Sequence, residues 1–151
     1  MTKSVVIDSN IFIKIFKAEA DSAQAKELLE YLLENQISII APQLLISETI
    51  DVCLYQKVTS AVALYDFFDV LIDSHILTPS ISKQTLKIAC EMVDYGHEKS
   101  GYPTISDSLY HAYAITLGTK FITADGRHIK KTEKYGHAVL LKDWKSIFTS
   151  L

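Results

Sequence analysis

The apolar positions change their period several times along the chain. Ser4-Val5-Val6-Ile7 is a short run without polar interruption, the pattern of a strand buried on both faces. Ile11, Phe12 and Phe16 then recur at helical spacing. Residues 21–35 place Ala25, Leu28, Leu29 and Leu32 along one helical face, and 37–40 returns to a strand-like run. Helical periods follow at about 43–57 and 60–72, then a brief strand at 76–77 and a helix at about 82–98. Gly101 and Pro103 mark 99–105 as a surface loop. Ser106 reads as the N-cap of a helix over 106–117, with Gly118 as its stop. Phe121-Ile122-Thr123 and residues 138–141 are the last strands.

Strands alternating with helices predict an α/β domain built on a parallel sheet with helices on both faces. One such domain is expected to occupy 1–151, with no linker or repeat. Ligands of these sheets bind beyond the carboxyl ends of the strands. The first strand ends at Asp8, and Asp125 follows the strand that ends at Thr123.

Composition narrows the class. The chain is 48% hydrophobic and 22% charged, which argues against disorder. No apolar run approaches the roughly 18 residues of a membrane span. The opening run is cut short by Asp8, so no signal peptide is expected. Cys53 and Cys90 lack any metal-binding or disulfide spacing, and a reducing cytoplasm is expected. The net charge of −3 hides an asymmetry: residues 120–151 carry +4 and the first 119 carry −7. A uniformly basic nucleic-acid coat is thereby excluded, but a basic patch near the C-terminus is not.

Four acids stand out, each with an ordinary explanation beside it. Asp8 fits a helix N-cap, and Asp107 suits the first turn of the helix capped by Ser106. Asp125 precedes Gly126 as in a turn. Glu48 sits between Leu44 and Val52 at helical spacing, with Tyr55 further along, so it either faces inward or into a cleft or is a partly exposed residue at a helix edge. If the four meet, their carboxylates repel and cannot all stay ionised without a cation. A hard divalent ion with oxygen ligands, Mg²⁺ or Mn²⁺, resolves this and can activate water against a phosphodiester.

In these residues the chain resembles the PIN-domain family of metal-dependent ribonucleases, and in size the VapC-type toxins of toxin–antitoxin pairs. The resemblance rests on Val6-Ile7-Asp8-Ser9-Asn10-Ile11-Phe12, on Pro42 through Glu48, and on the unit from Ile105 through Gly118 to Asp125. It covers nearly the whole chain. It implies a three-layer α/β/α fold with a central, mainly parallel sheet of about five strands. It also implies that Asp8, Glu48, Asp107 and Asp125 form the catalytic quartet, with Asp8, Asp107 and Asp125 holding Mg²⁺ or Mn²⁺. Asn10 and Thr123 match supporting polar positions. Gly126-Arg127-His128 departs from the more usual charged-x-aromatic continuation. An RNA substrate, a homodimer and a small cognate antitoxin that plugs the cleft are further implications.

Arg127, Lys130, Lys131 and Lys134 follow Asp125 directly and are placed either to hold RNA phosphates or to form a solvated face. His111 is set aside from catalysis, and Tyr110 and Tyr113 read as packing residues at helical spacing. No serine-hydrolase elbow or nucleotide-binding fingerprint is present. Two alternatives stay open: a catalytically silent RNA- or partner-binding module, and an aspartyl-nucleophile phosphatase. The second usually needs an acid two residues after its nucleophile, where this chain has Asn10.

Overall fold

The computed structural model describes residues 3–80 and 82–149. The ends of the expected 1–151 domain, and Ile81, lie outside the described residues. Five strands form one sheet: β1 (Ser4–Ile7), β2 (Ser38–Pro42), β3 (Leu77–Ser80), β4 (Phe121–Thr123) and β5 (Ala138–Leu140). Their order is β3-β2-β1-β4-β5, and every neighbouring pair is parallel. The helices are α1 (Ser9–Phe16), α2 (Ser22–Glu34), α3 (Leu44–Tyr55), α4 (Ala61–Asp73), α5 (Lys83–Tyr95), α6 (Ile105–Leu117) and α7 (Gly126–Lys131). Short 3-10 segments cover Glu133–Tyr135 and Leu141–Ile147.

Val5, Val6 and Ile7 are no more than 2% exposed, so both faces of the central strand are covered. This explains why β1 is apolar without alternation. The α6 helix packs on β1, β2 and β4, and α5 packs behind α6. Phe12 meets Phe67 and Phe68 at 6.2 and 5.7 Å between ring centroids, fastening α1 to α4. Tyr31, Trp144 and Phe148 join α2 to the last 3-10 segment in the same way.

The chain steps outward from β1 through β2 to β3, then returns to the other side of β1 for β4 and β5. In parallel sheets such a reversal marks the crevice where ligands bind, here beyond the carboxyl ends of β1 and β4. Asp8 and Asp125 lie at its two sides.

Several boundaries differ from expectation for identifiable reasons. The cap of α6 is Thr104, whose hydroxyl accepts the Asp107 amide at 3.2 Å; Ser106 is already helical. Asp107 is therefore the third helical residue, not the first. The strand expected at 76–77 runs over Leu77–Ser80, because an edge strand tolerates Pro79 in a pairing with Ala41. The strand expected at 37–40 is Ser38–Pro42. The helix expected to reach 98 stops at Tyr95, where Gly96 takes φ +58°. Leu141, expected in the last strand, opens the 3-10 segment instead. Around Glu48 the buried stripe runs one position later than expected, through Leu45, Thr49 and Cys53, and Tyr55 is 89% exposed.

The cap assignment has a direct check. Thr104→Ala should cost about 1 kcal/mol in urea unfolding, while Ser106→Ala should stay within about 0.5 kcal/mol of the parent. Equal losses would return the cap to Ser106.

Candidate active site

The β1–β4 ladder extends one residue past β1, because the Asp8 amide donates to the Ile122 carbonyl at 3.1 Å. Asp8 then caps α1, its Oδ1 accepting the Asn10 amide at 3.4 Å. Its carboxylate is 3% exposed. The Thr123 hydroxyl donates to Asp8 Oδ2 at 2.8 Å and accepts the Asp125 amide at 3.0 Å. Asn10 braces the same corner: its Nδ2 donates to Thr123 Oγ1 at 3.3 Å, and its Oδ1 accepts the Ala124 amide at 3.3 Å. Asn10 and Thr123 therefore join the ends of β1 and β4 as well as touching the acids.

Asp125 is the N-cap of α7 rather than part of a free turn. Its Oδ1 accepts the amides of Arg127 at 2.9 Å and His128 at 3.2 Å. Asp107 projects from the first turn of α6, half-buried. Glu48, on α3, is also half-buried, and the Tyr110 hydroxyl donates to its Oε1 at 2.6 Å. Tyr110, read as a packing residue in preference to a base-stacking one, does stack on Phe121, and its hydroxyl also bonds Glu48. Burial and the adjacent Glu48 hold the Tyr110 phenol far above its usual range, so it stays a donor.

Burial pushes the Asp8 carboxyl up to about 7, with repulsion from Asp107 and Glu48 adding to the rise and the Thr123 bond opposing it. Glu48 is raised by burial and by Asp107, against the Tyr110 bond. Asp107 is raised by burial and by Asp125, while Thr104 and Lys131 pull it down. Asp8 thus feels Asp107 and Glu48, Glu48 feels Asp107, and Asp107 feels Asp125. The four acids come from four separate elements, the end of β1, α3, α6 and the turn after β4.

The donor set suits a hard divalent cation: carboxylates, a hydroxyl and no thiolate. Among the described residues, no three acidic, histidine or cysteine side chains converge closely enough to enclose a metal by themselves. Magnesium commonly takes one or two carboxylates and keeps several waters, so an open acidic crevice matches its needs.

The basic candidates sit on α7. Arg127 and Lys130 are exposed, and Lys131 is half-buried and close enough to Asp107 to influence it. A pair of histidines had no signal in local spacing. His111 and His128 are buried, with His111 Nδ1 and His128 Nε2 3.0 Å apart and His111 Nε2 2.5 Å from the Gly136 carbonyl. A carbonyl only accepts, so His111 Nε2 carries the proton and its Nδ1 accepts from His128. His128 Nδ1 is then bare and, among the described residues, unpartnered. Burial holds both imidazoles near 4, hence neutral. They brace α6 and α7, which carry Asp107 and Asp125.

Comparison with known proteins bears on the fold and the family. No curated protein sequence matches the chain significantly. Among solved structures, the toxin VapC20 of Mycobacterium tuberculosis, described as cleaving the sarcin–ricin loop, is similar with a TM-score of 0.60 at 15% identity. That match covers 81% of this chain and 90% of VapC20. VapBC2 of Rickettsia felis, solved bound to a DNA fragment from its promoter, is similar with a TM-score of 0.64 at 18% identity. It covers 91% of this chain and 96% of the matched one. At these identities the likeness concerns the fold. The sequence profile of the PIN domain matches residues 5–134, which span all four acids and four of the five strands, and the chain belongs to the PIN domain family.

Proposed function

We propose that this protein is a divalent-metal-dependent endoribonuclease, the toxin of a toxin–antitoxin pair, acting in the cytoplasm. The observation that carries the reading is the junction beyond β1 and β4, where Thr123 and Asn10 tie buried Asp8 to the start of the Asp125 turn, with Glu48 and Asp107 near enough to raise the Asp8 carboxyl. The activity given for the similar toxin VapC20, cleavage of the sarcin–ricin loop, supports the choice of substrate class. The toxin role draws on both neighbours, VapC20 and the VapBC2 assembly.

Asp8, Asp107 and Asp125 would hold Mg²⁺ or Mn²⁺. The bound ion supplies charge compensation and an acidified water for in-line attack on a phosphodiester. Thr123 and Asn10 fix the Asp8 carboxylate and the start of the Asp125 turn, so the two strand ends keep their spacing. Tyr110 occupies one oxygen of Glu48 and leaves the other to take a proton from the attacking water. Arg127, Lys130 and Lys131 offer positive charge to the RNA backbone beside Asp107 and Asp125. Tyr55, Val62, Tyr65 and Val70, exposed on α3 and α4, supply apolar surface for a second copy or for the antitoxin.

Three outcomes test this reading. Asp8→Asn and Asp107→Asn should each abolish Mn²⁺-dependent RNA cleavage with unchanged circular dichroism, and weaken Mn²⁺ binding in calorimetry. Unchanged turnover in both variants would sink the mechanism, and RNA affinity indifferent to Mn²⁺ and to the acids would favour a silent binding module. Thr123→Val removes a partner of a ligand and should lower Mn²⁺ affinity by roughly 10–100-fold.

The third outcome follows from linkage. The Asp8 carboxyl has a folded value of about 7 against roughly 3.9 in the unfolded chain. Its contribution to stability is therefore fully present below about pH 4 and is lost as pH rises through 7. The two histidines act oppositely: their contribution is complete above about pH 6.5 and falls as the medium is acidified toward 4. Comparing Asp8→Asn with the parent cancels the histidines. In EDTA the variant should be more stable at pH 8 by on the order of 3 kcal/mol, with little advantage at pH 4.5. Equal urea midpoints at pH 8 would contradict the upward shift of the Asp8 carboxyl that burial, with its acidic neighbours, imposes.

A further inference from the structure

A second cavity, of about 670 Å³, opens where the C-terminal end of α5 meets α7 and the turn after it. Tyr95, His97, Lys99, Lys131 and Lys134 line it. Lys131 ends α7, the short helix that Asp125 caps, so one helix joins this cavity to the acids.

The cations here are not neutralised by ion pairs, and one of them is held in place. Among the described residues, Lys99, Lys131 and Lys134 make no ion pair, unlike Lys14, Lys17 and Lys145. The Lys134 ammonium rests 3.0 Å from the Tyr95 ring centroid and 5.0 Å from that of Tyr135. Two aromatic rings thus fix its position while its charge stays available. His97 organises the adjoining turn: its Nδ1 accepts the amides of Lys99 at 3.1 Å and Ser100 at 3.0 Å. With Nδ1 accepting, the neutral ring carries its proton on Nε2. That Nε2 is 3.9 Å from Glu133, beyond hydrogen-bond range. The turn is closed by reciprocal backbone bonds between His97 and Gly101, and Gly96 lies against the Tyr102 ring, where a Cβ would come within 2.4 Å.

Two acids, Glu98 and Glu133, also line the cavity, and both are exposed at its rim. They leave a net positive lining and argue against a site for isolated small anions. A polyanion that crosses several cations in sequence fits better.

We infer that the cavity formed by the 95–99 turn and residues 131–134 is a subsite for the backbone phosphates of single-stranded RNA flanking the scissile bond. This rests on the ribonuclease reading and adds to it a place for the strand beyond the carboxylates. Arg127 and Lys130 precede Lys131 on α7, and Lys99 and Lys134 add two further cations from the cavity lining.

The test is binding of a fluorescent single-stranded RNA to the full chain in EDTA, over a range of salt, by anisotropy. Lys99→Ala/Lys134→Ala should weaken binding by about tenfold or more and flatten the log–log salt slope by about 1.4, the value for two lost phosphate contacts. Mn²⁺ binding should stay as in the parent. Lys3→Ala/Lys26→Ala removes the same charge from exposed positions elsewhere and should change affinity far less. Unchanged affinity and slope in the first pair would overturn the subsite, as would an equal loss in the control pair. Polyglutamate binding as tightly as RNA, with the same sensitivity, would replace RNA by an acidic protein and also overturn it. The nuclease reading is judged separately. RNA cleaved with an unaltered KM by the first pair would remove the subsite alone, and RNA binding lost in that pair with no cleavage by the parent would remove the nuclease alone.

Discussion

The hydroxyl of Thr123 donates to a buried carboxylate, and most of the site depends on that bond. Thr123 ends β4 and Asp8 follows β1, so the contact bridges the point where the chain reverses across the sheet. The same oxygen receives the Asp125 amide and the Asn10 side chain. One hydroxyl therefore sets both strand ends and the start of the turn that presents Asp125. Such a hub is high-stakes in a low-dielectric setting, where each missing partner leaves a costly buried polar group. Valine at 123 would keep the shape of the strand and lose the junction.

The arrangement opposes stability to use. Carboxylates brought together from β1, α3, α6 and the turn after β4 repel one another, and burial adds to the strain on Asp8. The fold withstands this because β1 is sealed on both faces and the surrounding aromatic contacts are extensive. A chain optimised for stability alone would place an amide at position 8. Retaining the acid makes sense where a cation completes the site.

How far this was legible in the sequence varies by residue. Asp8 and Asp125 could be placed from strand endings alone, because a parallel sheet assigns its ligand edge to the carboxyl ends of its strands. The sheet itself was readable, since uninterrupted β-branched runs are hard to accommodate elsewhere. Glu48 was harder. Gln43 makes no side-chain cap for α3, and the buried stripe contains Thr49, so the helix phase was blurred. Thr104 and Ser106 are both capping residues two positions apart, and only the backbone conformation distinguishes them. Edge position excused Pro79, which local rules treat as a breaker. The His111–His128 pair joins residues 17 apart on different helices, a contact no periodicity encodes. Tyr110 combined two roles, and its packing pattern concealed its bond to Glu48.

The caps of α1 and α7 have a consequence for how the two acids are held. Asp125 gives one oxygen to two backbone amides, and its other oxygen accepts no hydrogen bond among the described residues. The Thr123 hydroxyl and the Asn10 amide engage different oxygens of Asp8. Each of these bonds ties a carboxylate to backbone or to a strand end, so neither side chain is a free rotor. The orientation of both acids is therefore settled by helix starts, before any ligand arrives.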